Sequence, residues 1–173
     1  MTAGKRRTAR EMAVQMLYQS DLGGSPLPHI FSTFDLSEYL AREAAAAGKR
    51  PSEAPAEPVD DRAERARHRH RVDEAFEYAK DLVRGAVEHL ERIDELIRSQ
   101  ADNWRLERMP AVDRNILRLA IYEMLFEKET PKLVVLDEAI ELAKKFGSEQ
   151  SGRFVNGLLD GLLKQHSFPG SLT

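Results

Sequence analysis

Apolar residues recur along this chain at steps of three and four, the spacing that places side chains on one face of an α-helix. The first such stretch predicts a helix from Lys5 to Asp21, which Gly23 and Gly24 end because glycine rarely continues a helix. A second, shorter helix is predicted from Ile30 to Arg42. The first quarter of the chain is therefore predicted to be helical.

The second half of the chain carries the stronger helical patterns. A long amphipathic helix is predicted from Val72 to Ile97, with Gly85 as a break within it. From Pro110 to Glu127 apolar residues cover more than one side, which indicates a central helix. Two further helices are predicted to start at the N-cap residues Thr130 and Ser148. Since no strand alternation appears, the predicted fold is all-α, with six or seven helices packed as two small bundles around one core.

Residues 42–71 depart from this pattern. The stretch AAAAGKRPSEAPAEPVDDRAERARHRHR holds three prolines, almost no large apolar side chain and dense charge of both signs. Such a segment buries too little apolar surface to offset the entropy cost of ordering it. It is predicted to be a flexible charged insertion within a single domain over residues 1–173, helical only near its end. Its arginines (Arg62, Arg65, Arg67, Arg69 and Arg71) are interleaved with Asp60, Asp61, Glu64 and Asp73, so that the local charge nearly cancels, which favours a solvating tract over an accessory polyanion site.

The composition narrows the class of protein. The chain has 42% hydrophobic and 32% charged residues, no cysteine, and no apolar run long enough for a membrane span or a signal peptide. These features predict a cytoplasmic protein. The net charge of −3 argues against a generic nucleic-acid binder, yet residues 1–20 hold four basic side chains against Glu11 alone. Any site for a polyanion is therefore predicted to be small and local.

No pattern indicates catalysis. The five histidines lack the spacing of a metalloprotease, and no glycine-rich phosphate loop follows a strand. His68 and His70 form only a short pair within the charged tract, which is weak evidence for a metal site. We therefore predict no catalytic residues, no metal and no cofactor.

The basic N-terminus is the most suggestive feature. Cations at the start of a helix are unfavourable because the helix dipole is positive there. On a helical wheel Arg7, Arg10 and Tyr18 share one stripe, with Lys5 and Arg6 beyond it. Cations for phosphates and a ring for a stacked base favour single-stranded RNA as a ligand. The alternative is an ordinary solvated terminus with Tyr18 half-buried under the next helix.

Three motifs in order, RRTAREMAVQMLYQSD, VDRNILRLAIYEM and DEAIELAKKFGSEQSGRFVNGLLD, closely resemble the NusB family of bacterial transcription antitermination factors. The resemblance covers residues 5–22 and about 72–165, and leaves 42–71 as a longer insertion than typical members carry. It implies an all-helical, non-enzymatic RNA-binding protein. Its expected ligand is boxA RNA, bound jointly with the ribosomal protein NusE. The pair is expected to join RNA polymerase with NusA and NusG in ribosomal RNA operons.

The resemblance also implies which residues bind. RNA contacts are expected at Lys5, Arg6, Arg7, Arg10, Tyr18, Ser148, Gln150 and Phe154. Contacts with NusE are expected at Asp113, Arg118, Tyr122 and Glu123, although Asp113 can equally cap its own helix and Tyr122 can pack in the core. Family members often have an acid at the position of Gln150, so this chain departs from the family pattern there.

Two alternatives stay open at this point. Related helical domains position RNA for ribosomal RNA cytosine methyltransferases, but this chain has no cysteine to act as the nucleophile. A homodimer with a masked RNA face is the other alternative.

Overall fold

The computed structural model describes residues 3–46, 59–101 and 105–169. Within these ranges the chain forms helices and connecting segments, without a strand. The α-helices in these ranges are α1 (Ala3–Gly23), α2 (Leu27–Thr33), α3 (Leu36–Ala46), α4 (Val59–Glu88), α5 (Leu90–Gln100), α6 (Ala111–Phe126), α7 (Lys132–Phe146) and α8 (Ser151–Gln165), and a short 3-10 turn over Leu106–Arg108 precedes α6. The all-α prediction is confirmed, whereas the predicted count of six or seven is too low by at least one.

Two predicted helices are each divided in the structure. The stretch from residue 30 to 42 belongs to two helices, α2 and α3. They are separated because the Asp35 side chain caps α3, where it accepts hydrogen bonds from the backbone N–H groups of Ser37 and Glu38 at 2.8 and 2.9 Å. The long helix after residue 72 is divided at His89, not at Gly85. Gly85 stays helical, and a Cβ atom there would overlap the ring of Tyr122.

The predicted N-caps of the last two helices are wrong. Pro131 occupies the N-cap position of α7 and makes no side-chain cap, while the Thr130 hydroxyl accepts a hydrogen bond from Arg6 at 3.0 Å. α8 starts at Ser151, three residues after Ser148. The Ser151 hydroxyl instead accepts a hydrogen bond of 2.8 Å from the backbone N–H of Ser148, which closes the turn between α7 and α8.

The core is centred on α6, as predicted. This helix packs against α1, α4, α5, α7 and α8. α1 in turn lies along α4. Both helices bury small side chains, which lets their backbones approach closely: Ala9 and Ala13 on α1, and Ala75 and Ala79 on α4. Large buried side chains fill the centre: Met12, Met16, Leu82, Ile93, Ile97, Ile116, Leu117, Leu119, Ile121, Met124 and Leu159. Burial of this apolar surface is the main stabilising term of the fold.

The predicted insertion is partly helical. Residues 42–46 complete α3, and residues 59–71 form the first turns of α4, which at 1.5 Å per residue is about 45 Å long. The rest of the predicted insertion, residues 47–58, lies outside the described residues. None of the described helices is both long enough and apolar enough to cross a membrane.

Candidate nucleic-acid interface

The cations at the start of α1 pair with carboxylates from four other parts of the fold. Lys5 pairs with Glu74 of α4, and an Arg6 nitrogen lies 3.7 Å from a carboxylate oxygen of Glu129, just before α7. Arg7 and Arg10 pair with carboxylates on α7 and α6. These ion pairs offset the unfavourable interaction of the cations with the helix dipole. They also tie the N-terminus of α1 to its neighbours.

Arg10 lies in the interior, and this corrects its prediction as an RNA contact. Its side chain is 4% exposed and donates to both carboxylate oxygens of Glu123, at 2.7 to 3.1 Å. Burial disfavours the charged guanidinium, but the hydrogen bonds to Glu123 outweigh it and raise the pKa of Arg10. Because α6 and α7 cover this part of the stripe, Arg10 is a structural residue.

Arg7 is the exposed member of the predicted stripe. Its side chain is 57% exposed and donates to both carboxylate oxygens of Glu138, at 2.6 and 3.1 Å. The same hydrogen bonds lower the pKa of Glu138 and raise the pKa of Arg7. A phosphate group therefore has to compete with Glu138 for this guanidinium.

Tyr18 is also exposed, but the stripe between it and Arg7 is interrupted. Tyr18 is 39% exposed, whereas Val14, between the two, is buried. The eleven residues from Arg7 to Tyr18 correspond to about 16 Å along the helix. Tyr18 therefore offers a ring for stacking at a distance from the cations, with no continuous surface joining them along α1.

The second predicted RNA segment lies next to α1. Ser148 and Gln150 are exposed in the turn between α7 and α8, and Phe154 is half-buried against the core. Three residues before Ser148, Lys145 donates to Glu11 of α1 at 2.8 Å. Glu11 stands one helical turn after Arg7, so this contact brings the two predicted RNA segments side by side.

Two predicted NusE contacts are buried, which corrects their assignment to a partner surface. Arg118 donates to Asp94 with two hydrogen bonds of 2.8 Å and lies 3.0 Å from an oxygen of Asp21. Glu123 is the buried partner of Arg10. A third predicted contact, Tyr122, is half-buried against Gly85 and packs beside Phe126, with ring centres 5.2 Å apart and ring planes inclined by 33°.

The fourth predicted NusE contact, Asp113, has an unsatisfied hydrogen-bond acceptor. It stands in the first turn of α6, is 3% exposed, and its Oδ1 atom has no hydrogen-bond partner within the described residues. An unsatisfied buried acceptor costs about 1–3 kcal/mol. A hydrogen bond to this atom would therefore contribute more free energy than a hydrogen bond to a carboxylate already solvated by water.

The polar network beside Asp113 was not predicted. Asp21, at the end of α1, accepts hydrogen bonds from Arg114 at 2.6 and 2.9 Å and from Asn115 at 3.0 Å. Burial raises the pKa of Asp21, but the hydrogen bonds from Arg114, Arg118 and Asn115 outweigh it and lower that pKa. The partners lie more than 90 positions apart in the sequence, so no local pattern reveals them.

The described residues contain no cluster of three metal-ligating side chains. The exposed groups of α1 and of the turn before α8 can recognise a ligand: guanidinium and ammonium groups bind anions, hydroxyl and amide groups form hydrogen bonds, and the ring of Tyr18, further along α1, can stack.

Comparison with known proteins gives the family. The profile of the NusB family matches residues 7–164. The transcription antitermination protein NusB of Sorangium cellulosum is 42% identical over 157 residues, which cover 91% of this chain and 90% of that protein. A solved structure of Thermotoga maritima NusB is 36% identical with a TM-score of 0.62, covering 96% of this chain and 94% of that one.

A solved complex of the antitermination factors NusB and NusE with double-stranded RNA contains a chain that is 28% identical, with a TM-score of 0.62. The match covers 95% of this chain and the whole of that one. The relatives are transcription antitermination factors and not enzymes. The match spans nearly the full described fold, and this chain belongs to the NusB family.

Proposed function

We propose that this chain binds the boxA segment of nascent ribosomal RNA together with NusE, and so supports antitermination by RNA polymerase with NusA and NusG in the cytoplasm. The observation that carries the proposal is the likeness to the chain solved in complex with NusE and RNA, a match that covers 95% of this chain and the whole of that one. The function is recognition without a chemical step.

RNA binds where α1 meets the turn between α7 and α8. Arg7 contacts phosphate by exchanging Glu138 for it, with Lys5 and Arg6 at the edge of the same surface. Ser148 and Gln150 supply hydrogen bonds, and the half-buried Phe154 borders them. Tyr18 stacks on a base at the far end of the path, which contributes about 1–3 kcal/mol.

Affinity for RNA alone is modest because few cations are available. With Arg10 buried, three cations remain at the start of α1, and each already holds a polar partner. Three phosphate contacts give a salt slope of about −2 on single-stranded RNA. NusE adds contact surface, so the heterodimer binds boxA far more tightly than this chain does.

NusE docks at the start of α6. Asp113 offers the unpaired Oδ1 atom there; because the residue is only 3% exposed, the groups that cover it have to move before a lysine or arginine of the partner supplies the missing donor. A hydrogen bond to a charged group contributes about 1.5–3 kcal/mol. Arg118, Tyr122 and Glu123 support this region from inside the fold and make no contact with the partner.

Fluorescence anisotropy with labelled boxA RNA, with and without NusE, tests the proposal. We expect NusE to increase the affinity at least tenfold, and equal affinities would refute cooperative binding. R7Q should weaken binding, whereas R98Q, which removes an exposed arginine on α5, should not. Sedimentation with and without RNA would show whether a homodimer and RNA exclude each other.

A separate titration tests the NusE contact. D113N should weaken NusE binding about ten- to a hundredfold, because it removes the charge from the unpaired acceptor and barely changes its shape. D137N removes an exposed acid on α7 and serves as the matched control. If both variants bind NusE like the wild type, the docking surface lies elsewhere.

A further inference from the structure

We propose that the basic arm, residues 63–71 of α4, binds phosphates of RNA that extends beyond the segment held at α1. The inference rests on the proposed RNA-binding function and extends it to a surface outside the three family motifs. It assigns a role to part of the charged tract that sequence analysis favoured as merely solvating.

The basic arm projects from the fold. Every residue from 63 to 71 is exposed, and the next residue, Val72, has a buried side chain. Nine helical residues correspond to about 13 Å. The arm is therefore accessible from several sides while α4 is anchored by its packing on α1 and α6.

The charge of the basic arm is strongly positive in an acidic protein. Residues 63–71 contain Arg65, Arg67, Arg69 and Arg71 against one acid, Glu64, a net charge of 4 − 1 = +3, while the whole chain has −3. The arginines are two residues apart, so Arg65 and Arg69 share one side of the helix and Arg67 and Arg71 another. Asp73 and Glu74 follow at the base of the arm, and Glu74 is held by Lys5.

The arginines of the basic arm differ from the cations of α1 in one respect that favours binding. Within the described ranges, Arg67, Arg69 and Arg71 form no ion pair, whereas each basic residue at the start of α1 lies next to a carboxylate. A phosphate that binds Arg67, Arg69 or Arg71 therefore displaces no described carboxylate from them, and release of counterions favours binding.

The basic arm and the start of α1 form one continuous surface. His68 and Arg71 of the arm line a cleft of about 200 Å³ together with Gly4, Lys5 and Thr8 of α1. A strand of RNA that passes the first turn of α1 therefore meets the arm next. The arm carries four arginines but no phenylalanine, tyrosine or tryptophan, so its main contacts are to the phosphates of the RNA, which carry no sequence information.

The test compares two probes in the presence of NusE: boxA RNA, and the same RNA lengthened by ten uridines at one end or the other. The arm variant is R67Q/R69Q/R71Q, and glutamine is chosen because its helix propensity is close to that of arginine. The control R92Q/R98Q/R108Q removes the same charge from exposed positions on α5 and the turn after it. Circular dichroism verifies that both variants are folded.

We expect the wild type to gain affinity from one of the extensions, with a salt slope more negative by about 2 for three phosphate contacts. Raising salt from 0.05 to 0.2 M should therefore weaken the long RNA about 20-fold more than the short one. The arm variant should lose this difference and bind the short RNA within twofold of the wild type. The control variant should retain it.

The outcomes separate the two proposals. If neither extension helps the wild type, or if the arm variant keeps the full gain, the role of the basic arm is refuted. If the control loses the gain equally, the effect is one of net charge and the arm is again refuted. If the wild type binds boxA RNA no better than oligouridine of the same length, the proposed function fails, while a gain that the arm variant loses still supports the arm.

Discussion

The assignment of Arg10 to the interior makes a quantitative prediction about stability. Its guanidinium and the Glu123 carboxylate are 4% and 1% exposed, and they share three hydrogen bonds of 2.7 to 3.1 Å. R10M keeps much of the side-chain volume and leaves the Glu123 charge buried without its partner. Removing one member of a buried ion pair costs about 3–5 kcal/mol.

This cost is a large share of the 5–15 kcal/mol that stabilises a typical domain. For a chain of this length each kcal/mol corresponds to about 2–4 °C in Tm, so we expect R10M to melt about 6–20 °C below the wild type. The double variant R10M/E123M should recover most of the loss, because an apolar pair of similar volume is often as stable as the ion pair. R7M, at an exposed pair, should cost no more than about 1 kcal/mol.

Thermal and urea unfolding followed by circular dichroism at neutral pH compare five proteins: the wild type, R10M, E123M, R10M/E123M and R7M. At a temperature where R10M is fully folded, its affinity for RNA should lie within twofold of the wild type. The reasoning is refuted if R10M unfolds within 1 kcal/mol of the wild type, or if the double variant is as unstable as the sum of the two single ones. A folded R10M that has lost RNA binding would instead return Arg10 to the interface.

Three further predictions follow from individual contacts. E138Q should increase the affinity for RNA about two- to fivefold, because it frees Arg7 from an exposed ion pair that contributes up to about 1 kcal/mol. Fluorescence anisotropy measures this change, and an unchanged affinity would exclude Arg7 as a phosphate contact. Because the pKa of Asp21 is lowered, its carboxylate stabilises the fold fully above about pH 4, and this stabilisation is lost as the pH falls further. We therefore expect D21N to be about 2 kcal/mol less stable than the wild type at pH 7. In acid melts D21N should lose less stability than the wild type does. G85A should destabilise the fold by about 1–3 kcal/mol in urea melts despite the better helix propensity of alanine, since its methyl group meets the Tyr122 ring. The G85A cost should shrink in a Y122A background, and an equal cost there would show that the ring is not the cause.

The helices and the central position of α6 were predictable because they depend on local periodicity. The apolar side chains of residues 110–127 cover most of the helix surface, and a helix of that kind needs neighbours on every side. The divisions of the helices were harder to predict. Asp35 caps α3 with its side chain, and apolar spacing alone does not reveal such a cap. Gly85 suggested a break in the helix, but the position needs glycine because Tyr122 packs closely against it.

The site was only partly predictable, since burial of a charged residue depends on what packs over it. Arg7 and Arg10 lie on nearly the same side of α1, yet one is exposed and the other is covered by α6 and α7. Their carboxylate partners lie 131 and 113 positions away in the sequence. No spacing rule within one helix connects such residues, so the basic stripe looked uniform before the fold was known.

These ion pairs affect how strongly an acidic protein with few cations at the start of α1 can bind RNA there. At α1 a phosphate has to replace a carboxylate such as Glu138, and exchanging one exposed ion pair for another gains little free energy. At the basic arm Arg67, Arg69 and Arg71 have no such partner among the described residues, so each contact there keeps its full counterion-release term. In the proposed complex we therefore expect the start of α1 to contribute position more than affinity, and we expect the affinity to come from NusE and from RNA long enough to reach the arm.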